Sequence, residues 1–327
     1  MAIDLLNLQP TKVSKDLSNK YIMLYGAPKC GKTSFAASIP DNLLIAFEKG
    51  YNGLDNIYAV DVPKWSDFTQ VLKQLEKQEI KDKFKTVTID TVDLMWAAAE
   101  KHILAQNITS SGEMPKALGD IPWGGGFTQC KKLFDESLRK TAQLGYGVVL
   151  ISHEKTIAKK DEKTGEEYLY STCTLPDMAK LIANRFVDAI LYLKIDREGN
   201  RFLCTRDGKN IEAGSRFQYL DSLIPLGYEE LTNALSNAID AEAQHKGKAC
   251  ATTEKVEDAF LKEARPFAEA MNEAKDLFSA ILAKDSNNAV KLNDAIVKVF
   301  GKQMKLSEAI PAQQDLVEAV IVEWKNI

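Results

Sequence analysis

At 327 residues, the chain is longer than a single hydrophobic core usually supports, so we expect one large domain and a smaller one. Its 45% hydrophobic and 27% charged residues are typical of a globular protein, and no stretch approaches the roughly 20 apolar residues that a membrane-spanning helix needs. Because the net charge is −4, binding to nucleic acid would require a local basic patch. No apolar segment typical of a secretory signal lies between Met1 and Lys20, and the five scattered cysteines form no C-x-x-C pair. We therefore expect a cytoplasmic protein with no membrane partner, zinc site or disulfide framework.

The first predicted strand, residues 21–25, leads directly into a complete phosphate-binding loop of the form G-x-x-x-x-G-K-[ST]. An apolar pattern after the loop predicts a helix that ends before Pro40. In this context, backbone N–H groups and the helix N-terminus bind phosphate oxygens. We expect Lys32 to contact the β- and γ-phosphates of ATP and to act in catalysis, and Thr33 to ligate Mg²⁺. The residues predicted to bind the nucleotide are Gly26, Ala27, Pro28, Lys29, Cys30, Gly31, Lys32, Thr33 and Ser34.

Further apolar segments alternate with helical patterns, which indicates an α/β fold with a parallel sheet covered on both faces. These predicted strands comprise residues 43–47, 87–89, 148–151 and 189–193. Asp90 follows the second of them and is predicted to hold Mg²⁺ through water beside the phosphate loop. We interpret Asp93 as a carboxylate favoured by a helix N-terminus. Gly199-Asn200 lies between two short strand-like segments and predicts an antiparallel hairpin at the sheet edge.

Two long segments, residues 107–126 and 154–167, show no pattern of secondary structure and are predicted to be functional loops. The first contains Trp123 and Phe127 beside three glycines, and these aromatic residues could stack on nucleic-acid bases. The second contains several lysines that could neutralise phosphates, although its acidic residues outnumber them. A solvated charged loop, and aromatic residues packed under a mobile lid, are the alternative interpretations.

Beyond residue 240 the composition changes. Residues 244–253 resemble a linker, and the apolar residues that follow recur at helical spacing. We therefore predict an ATPase domain over residues 1–240 and a small all-helical domain over residues 241–327.

The segment from Leu44 to Ala59 resembles the one that carries the catalytic glutamate in RecA-type recombinases, with Glu48 directly after the strand. The order of phosphate loop, glutamate and Asp90 also matches that family, and the resemblance covers about residues 20–225. It implies a RecA-like, doubly wound and mostly parallel sheet, most similar to the phage-encoded RecA-like ATPases associated with single-strand annealing and recombination. Glu48 would then be the general base that activates water. By position alone, an ordinary solvated glutamate is equally compatible.

The same resemblance implies roles for four further sites. His153 would sense the γ-phosphate where the recombinases usually have glutamine, although a hydrogen-bonded histidine at a strand end is the alternative. The segments at 107–126 and 154–167 correspond to the DNA-binding loops of that family. Arg216 would reach the nucleotide of a neighbouring subunit in a homo-oligomer, whereas we interpret Arg201 as an edge-strand charge that opposes aggregation. The residues predicted to contact nucleic acid are Trp123, Lys155, Lys159 and Lys160.

The sequence therefore predicts an ATPase with ATP and Mg²⁺ as cofactors. It would bind single-stranded DNA and assist homologous recombination, annealing or repair, and its C-terminal helices would dock a recombination or single-strand-binding protein. Two alternatives stay open. A nucleotide kinase-type phosphotransferase would need an arginine-rich lid, and residues 154–167 contain no arginine. A non-hydrolysing, nucleotide-regulated adaptor would not need the carboxylate of Glu48.

Overall fold

The computed structural model describes residues 13–161, 163–245, 251–252 and 265–327. The described residues form two compact units, one within Thr11–Leu261 and the other within Lys262–Ile327. The predicted domain boundary at residue 240 falls within a helix, Tyr228–His245. Most of the predicted linker at 244–253 lies outside the described residues, so the boundary stays a prediction.

The larger unit is built on a ten-stranded, mostly parallel sheet. The strands in chain order are β1 (Val13–Ser14), β2 (Tyr21–Gly26), β3 (Asn42–Ala46), β4 (Tyr58–Asp61), β5 (Thr86–Asp90), β6 (Gly147–Lys160), β7 (Glu167–Cys173), β8 (Ala189–Ile195), β9 (Arg201–Cys204), β10 (Gly214–Ser215), β11 (Leu223–Pro225) and β12 (Ala251–Thr252). The spatial order is β11-β9-β8-β2-β6-β5-β3-β4, with β10 beside β8 and β7 beside β6, while β1 and β12 form a separate pair. The pairs from β8 through β2, β6, β5 and β3 to β4 are all parallel.

Helices cover both faces of this sheet. They are α1 (Lys32–Ala37), α2 (Trp65–Leu75), α3 (Gln78–Lys83), α4 (Val92–Gln106), α5 (Gly125–Gln143), α6 (Asp177–Phe186) and α7 (Tyr228–His245). Successive residues of a strand point to opposite faces. In β2, Met23 and Tyr25 pack in the core under α2, α4, α5 and α6, whereas Ile22 and Leu24 pack in the core under α1 and α7. The predicted doubly wound α/β fold is confirmed.

The register of the parallel strands brings their carboxyl ends to one edge of the sheet. Gly26 of β2 is paired with His153 of β6, and Ala46 of β3 is paired with Asp90 of β5. Side chains at or just beyond these positions therefore meet at the edge where open α/β sheets bind their ligands.

The two long segments differ from their predictions. Residues 154–167 are not a loop, because β6 continues to Lys160 and pairs antiparallel with β7 in a long hairpin. Two adjacent pairs of charged side chains, Glu154-Lys155 and Lys159-Lys160, conceal the strand pattern of β6 in the sequence. In the other segment, Leu118 and Ile121 are buried in the core, so it is not wholly a flexible loop. The predicted hairpin at Gly199-Asn200 is confirmed as the antiparallel pair of β8 and β9.

The smaller unit contains α8 (Phe267–Lys284), α9 (Asn288–Phe300) and α10 (Gln314–Lys325), which pack around their own apolar core. The predicted helical character is confirmed for the part of this unit that the structure describes. Gly301 ends α9 in the left-handed region at φ +69°, where glycine is favoured. Trp324 anchors α10 to α9, since its indole Nε1 donates a 3.0 Å hydrogen bond to the carbonyl of Leu292. None of the helices in the described ranges is long and apolar enough to cross a membrane.

Candidate nucleotide-binding site

The phosphate loop connects β2 to α1, and all nine residues predicted to bind the nucleotide lie on it. Gly31 has a φ of +109°, which disfavours any side chain at this position. Gly26 must also be glycine, because a Cβ there would lie 2.8 Å from the backbone oxygen of Leu193 on the neighbouring strand. The loop therefore owes its shape to the close approach of β8 as well as to its own sequence.

The ammonium group of Lys32 is held against this loop. The side chain is 5% exposed, and Nζ donates 2.9 Å hydrogen bonds to the carbonyls of Gly26 and Ala27. A cation is thus fixed against the backbone that binds phosphates in loops of this kind.

Thr33 and Asp90 form a pair of oxygen ligands beside the loop. The Thr33 hydroxyl donates a 2.7 Å hydrogen bond to Oδ2 of Asp90, which is 3% exposed. Burial raises the pKa of Asp90, the hydroxyl of Thr33 opposes that rise, and the charge of Glu48 adds to it. A bound cation would favour the charged carboxylate, and hydroxyl and carboxylate oxygens suit the hard Mg²⁺ ion. The two residues therefore fit the predicted metal site.

Gly50 is a residue that the sequence analysis missed. A Cβ on Gly50 would lie 3.4 Å from Oγ1 of Thr33 and 3.7 Å from Oδ2 of Asp90. The absence of a side chain leaves space next to the two oxygen ligands. Its only signal in the sequence is its place two residues after Glu48.

Glu48 and His153 lie close to Asp90. The backbone N–H groups of Phe47 and Glu48 donate to the carbonyl of Asp90, at 2.7 and 3.3 Å. Oε2 of Glu48 is 3.4 Å from Nε2 of His153, a long contact for a hydrogen bond. Nδ1 of His153 is buried and has no hydrogen-bond partner within the described ranges. The structure thus brings both predicted catalytic side chains to the predicted metal ligand.

Asp93 connects this site to the base of the β6–β7 hairpin. It lies in the first turn of α4, as predicted, but its carboxylate also accepts hydrogen bonds from the hydroxyls of Ser152 and Thr174, at 3.0 and 2.8 Å. The backbone N–H of His153 donates to the same carboxylate at 3.3 Å. Asp93 therefore joins α4, the end of β7 and the strand position that carries His153, which its interpretation as a helix-terminal charge did not include.

The structure places the two arginines at opposite edges of the sheet, with Arg201 near the phosphate loop and Arg216 far from it. Arg216 lies next to Asp188 at the amino end of β8, with Nη1 2.9 Å from Oδ1 of Asp188, so it is at the opposite edge of the sheet from the phosphate loop. Arg201 pairs with Ile195 at the carboxyl end of β8, and a Cβ on Gly31 would lie 2.8 Å from its Nη1. Arg201 thus lies beside the phosphate loop, a position that its interpretation as an edge-strand charge did not include. The β8–β9 hairpin was the available signal, since it returns the chain to the edge that carries the loop.

The lysines of the β6–β7 hairpin are divided between its two faces. Lys155 and Lys159 lie at alternate positions of β6, on the face that also carries Tyr168 and Tyr170 of β7. Nζ of Lys159 is 3.2 Å from the centre of the Tyr170 ring. Lys160 is on the opposite face, so the structure does not bring it together with the other two lysines.

Trp123 stands in a short 3-10 turn before α5 and is fully exposed. Its φ of +60° is in the left-handed region, and three glycines follow it. The alternative in which this residue packs under a lid does not describe the structure. Neither the hairpin nor this turn contributes to the phosphate loop itself.

The chain matches known proteins over much of its length. Residues 18–217, more than half of the chain, match the model of a family described as AAA domain. A relative that is 25% identical over 336 residues, covering 100% of this chain and 99% of the relative, is the SPbeta prophage-derived uncharacterized protein YorG of Bacillus subtilis (strain 168). Among solved structures, the KaiC-like protein PH0186 from Pyrococcus horikoshii OT3 aligns with 64% of this chain and 85% of that chain, at 12% identity and a TM-score of 0.35.

Proposed function

The chain belongs to the AAA domain family, and we propose that it is a phage-encoded ATPase that couples Mg·ATP hydrolysis to the binding of single-stranded DNA. The family and the nucleotide site support a P-loop ATPase of the AAA/RecA type. That its ligand is DNA, and that it acts in recombination, annealing or repair, is the part that we propose. The observation that carries it is strand β6, which continues without interruption from the nucleotide site into the β6–β7 hairpin.

At the nucleotide, Lys32 and the loop N–H groups bind the phosphates, and Thr33 and Asp90 hold Mg²⁺. Glu48 accepts a proton from the attacking water. Two observations suit Glu48 to this role: its backbone is bonded to the carbonyl of Asp90, and its side chain is 39% exposed, so water can reach it. When bound, Mg²⁺ supplies positive charge that stabilises the phosphoryl group during transfer.

Coupling to DNA would pass through His153. This residue contacts Glu48 through its ring, while its backbone carbonyl accepts a 2.9 Å hydrogen bond from the N–H of Thr174 at the base of the hairpin. Asp93 bonds to both strands at the same level. A displacement of His153 would therefore be transmitted directly to the paired strands. If nucleotide changes DNA affinity by this path, DNA must change nucleotide affinity by the same factor.

The DNA ligand is supported by one face of the hairpin that carries Lys155, Lys159 and the half-buried Tyr168, whereas Tyr170 on the same face is buried and its hydroxyl donates to Asp207. Lysines neutralise phosphates and aromatic rings stack on bases, which is the combination that single-strand binders use.

Two of the acidic side chains that obscured this pattern in the sequence have structural partners. Glu154 accepts a hydrogen bond from the hydroxyl of Tyr192 at 3.2 Å, and Asp161 accepts bonds from the N–H groups of Lys163 and Thr164 in the hairpin turn. These two carboxylates therefore have structural roles in the hairpin.

The proposal is tested by the rate of ATP hydrolysis with no DNA, with single-stranded DNA and with duplex DNA, each at two salt concentrations. We expect stimulation by single strands, and affinity that falls as salt rises because bound phosphates release counterions. If DNA leaves the rate of ATP hydrolysis unchanged and no salt-sensitive DNA binding is found, the proposal that this protein acts on DNA is wrong. The protein would then be a P-loop ATPase with another substrate.

We also propose that the ATPase self-associates and that its C-terminal helices dock a recombination or single-strand-binding protein. Self-association follows from the resemblance to RecA-type ATPases, and docking follows from the resemblance of the C-terminal helices to the partner-docking modules of phage recombination proteins. Arg216 pairs with Asp188 but keeps 61% of its side chain exposed, so a neighbouring subunit could still contact it. Sedimentation velocity with and without ATP tests self-association, and a protein that stays monomeric under both conditions contradicts it.

A further inference from the structure

We propose that Arg201 binds the phosphate chain of the nucleotide held by the phosphate loop of its own chain. The inference rests on the proposed nucleotide site and adds a substrate-binding residue to it. The resemblance to RecA-type ATPases implies an arginine from a neighbouring subunit, so an arginine that acts within one chain is a different arrangement.

Backbone pairing fixes the position of Arg201. It is the first residue of β9, opposite Ile195 of β8, and its carbonyl accepts a 2.9 Å hydrogen bond from the N–H of Leu226. A Cβ on Gly31 would lie 2.8 Å from Nη1 and 3.5 Å from Cζ of Arg201. The guanidinium therefore lies against the loop residue that directly precedes Lys32.

No residue in the described part of the chain neutralises the charge of Arg201. Within the described ranges, its guanidinium forms no ion pair and no hydrogen bond. Two arginines nearby in sequence are engaged: Arg206 donates to the carbonyls of Phe217 and Gln218, and Arg216 pairs with Asp188. Arg201 thus keeps its donors for a ligand.

The ligand class follows from chemistry. Lys32 and Arg201 place two positive charges on one loop, and a polyphosphate is the anion that would neutralise both. A guanidinium presents parallel N–H donors that match a phosphate and stays charged at any physiological pH. Because this contact would be made to phosphates and not to the base, Arg201 should bind ATP and GTP equally.

The test measures the binding of fluorescent ATP and GTP analogues to the full chain, with Arg201→Ala and Arg201→Gln. We expect about 10- to 100-fold weaker binding of both nucleotides, the loss typical of one charge-assisted hydrogen bond. Arg197→Ala is the matched control, since it removes an exposed arginine from the turn of the same hairpin. It should leave the affinity within about twofold of wild type, because Arg197 is outside the β8–β9 pair that faces the loop. Thermal melting of each variant checks that it is folded.

The outcomes separate this inference from the proposed function. If the wild type binds neither nucleotide, the nucleotide site itself fails. If the wild type binds and Lys32→Ala does not, but both Arg201 variants bind like wild type, the site stands and the role of Arg201 is wrong. A loss for ATP alone would indicate a contact to the base and would overturn the phosphate assignment. Recovery of affinity when Arg201→Ala is mixed with Lys32→Ala would mean that the arginine acts on a neighbouring subunit, which also overturns the proposal.

Discussion

The phosphate loop and the β6–β7 hairpin begin at the same edge of the sheet, but they are packed very differently. At the loop, Lys32 and Asp90 are 5% and 3% exposed and bond to nearby groups. On the hairpin, Ile157 and Leu169 are 38% and 64% exposed, and the two strands depend mainly on each other. The loop can bind a small ligand by fixed geometry, whereas the hairpin presents a surface that a long ligand can cover.

The two regions meet at His153, where β6 leaves the sheet and enters the hairpin. This junction makes the comparison testable. Changes at the loop should stop catalysis or weaken the fold, and changes at the hairpin should alter DNA binding and leave basal hydrolysis intact.

The largest expected effect is on turnover. Glu48→Gln should lower the rate of ATP hydrolysis by about 10²- to 10⁴-fold, because it removes the group that accepts the proton from water. Nucleotide affinity should stay close to wild type. Steady-state hydrolysis and equilibrium binding measure the two quantities, and Glu166→Gln in the hairpin turn is the control. Unchanged turnover would favour another base or a non-hydrolysing adaptor.

The second prediction compares lysine substitutions on the two faces of the hairpin. Replacing Lys155 and Lys159 together by glutamate should weaken binding to single-stranded DNA by at least about tenfold, because two phosphate contacts become repulsive. Single Lys→Ala changes should each lower the slope of log affinity against log salt by about 0.7. Lys160→Glu, on the opposite face, should have little effect. Equal losses from all three lysines would mean that net charge, and not this face, determines binding.

A side chain at Gly26, where β8 lies close to the phosphate loop, should destabilise the fold. In Gly26→Ala the new Cβ would clash with the carbonyl of Leu193, and we expect a loss of about 1–3 kcal/mol in the free energy of unfolding. Gly53→Ala is the control, because a Cβ there would have no atom within 4 Å. Urea unfolding measures both, and equal stability of the two variants would show that β8 does not shape the loop.

The smallest expected effect concerns pH. Burial raises the pKa of Asp90, so its ionisation costs stability in the nucleotide-free protein. At a pH below the usual pKa of aspartate, about 4, Asp90 is protonated in both the folded and unfolded states, so its ionisation does not change the free energy of unfolding. As pH rises through the interval up to the raised pKa, the native state loses stability.

Asp90→Asn should therefore melt at a higher temperature than wild type near neutral pH, and the advantage should shrink toward acid. The same variant should lose Mg²⁺-dependent nucleotide binding. Thermal melting across this pH range, without nucleotide, measures the effect. A lower melting temperature for Asp90→Asn than for wild type at neutral pH would contradict the prediction that burying the charged carboxylate of Asp90 destabilises the nucleotide-free protein.

Much of the fold was predictable, because β2 is apolar up to the phosphate loop and is followed by a clear helical pattern. The hairpin was not predictable, since β6 after His153 carries adjacent charged residues at both ends of a short Thr-Ile-Ala stretch and becomes a strand only by pairing with β7. Arg201 was missed for a related reason: its sequence shows an edge charge, and only the antiparallel return of β9 brings it to Gly31.

The sequence by itself determined the phosphate loop, the apolar strands and the helical character of the described C-terminal part. These features are local, because glycine at positive φ, side-chain alternation and helical spacing each depend on residues close together in the chain. The tertiary structure decided which distant residues meet: Glu48, Asp90 and His153 around one site, Arg201 against Gly31, and two tyrosines beside two lysines on the hairpin. These contacts depend on strand register, which is set by the packing of the whole sheet and leaves no local signal.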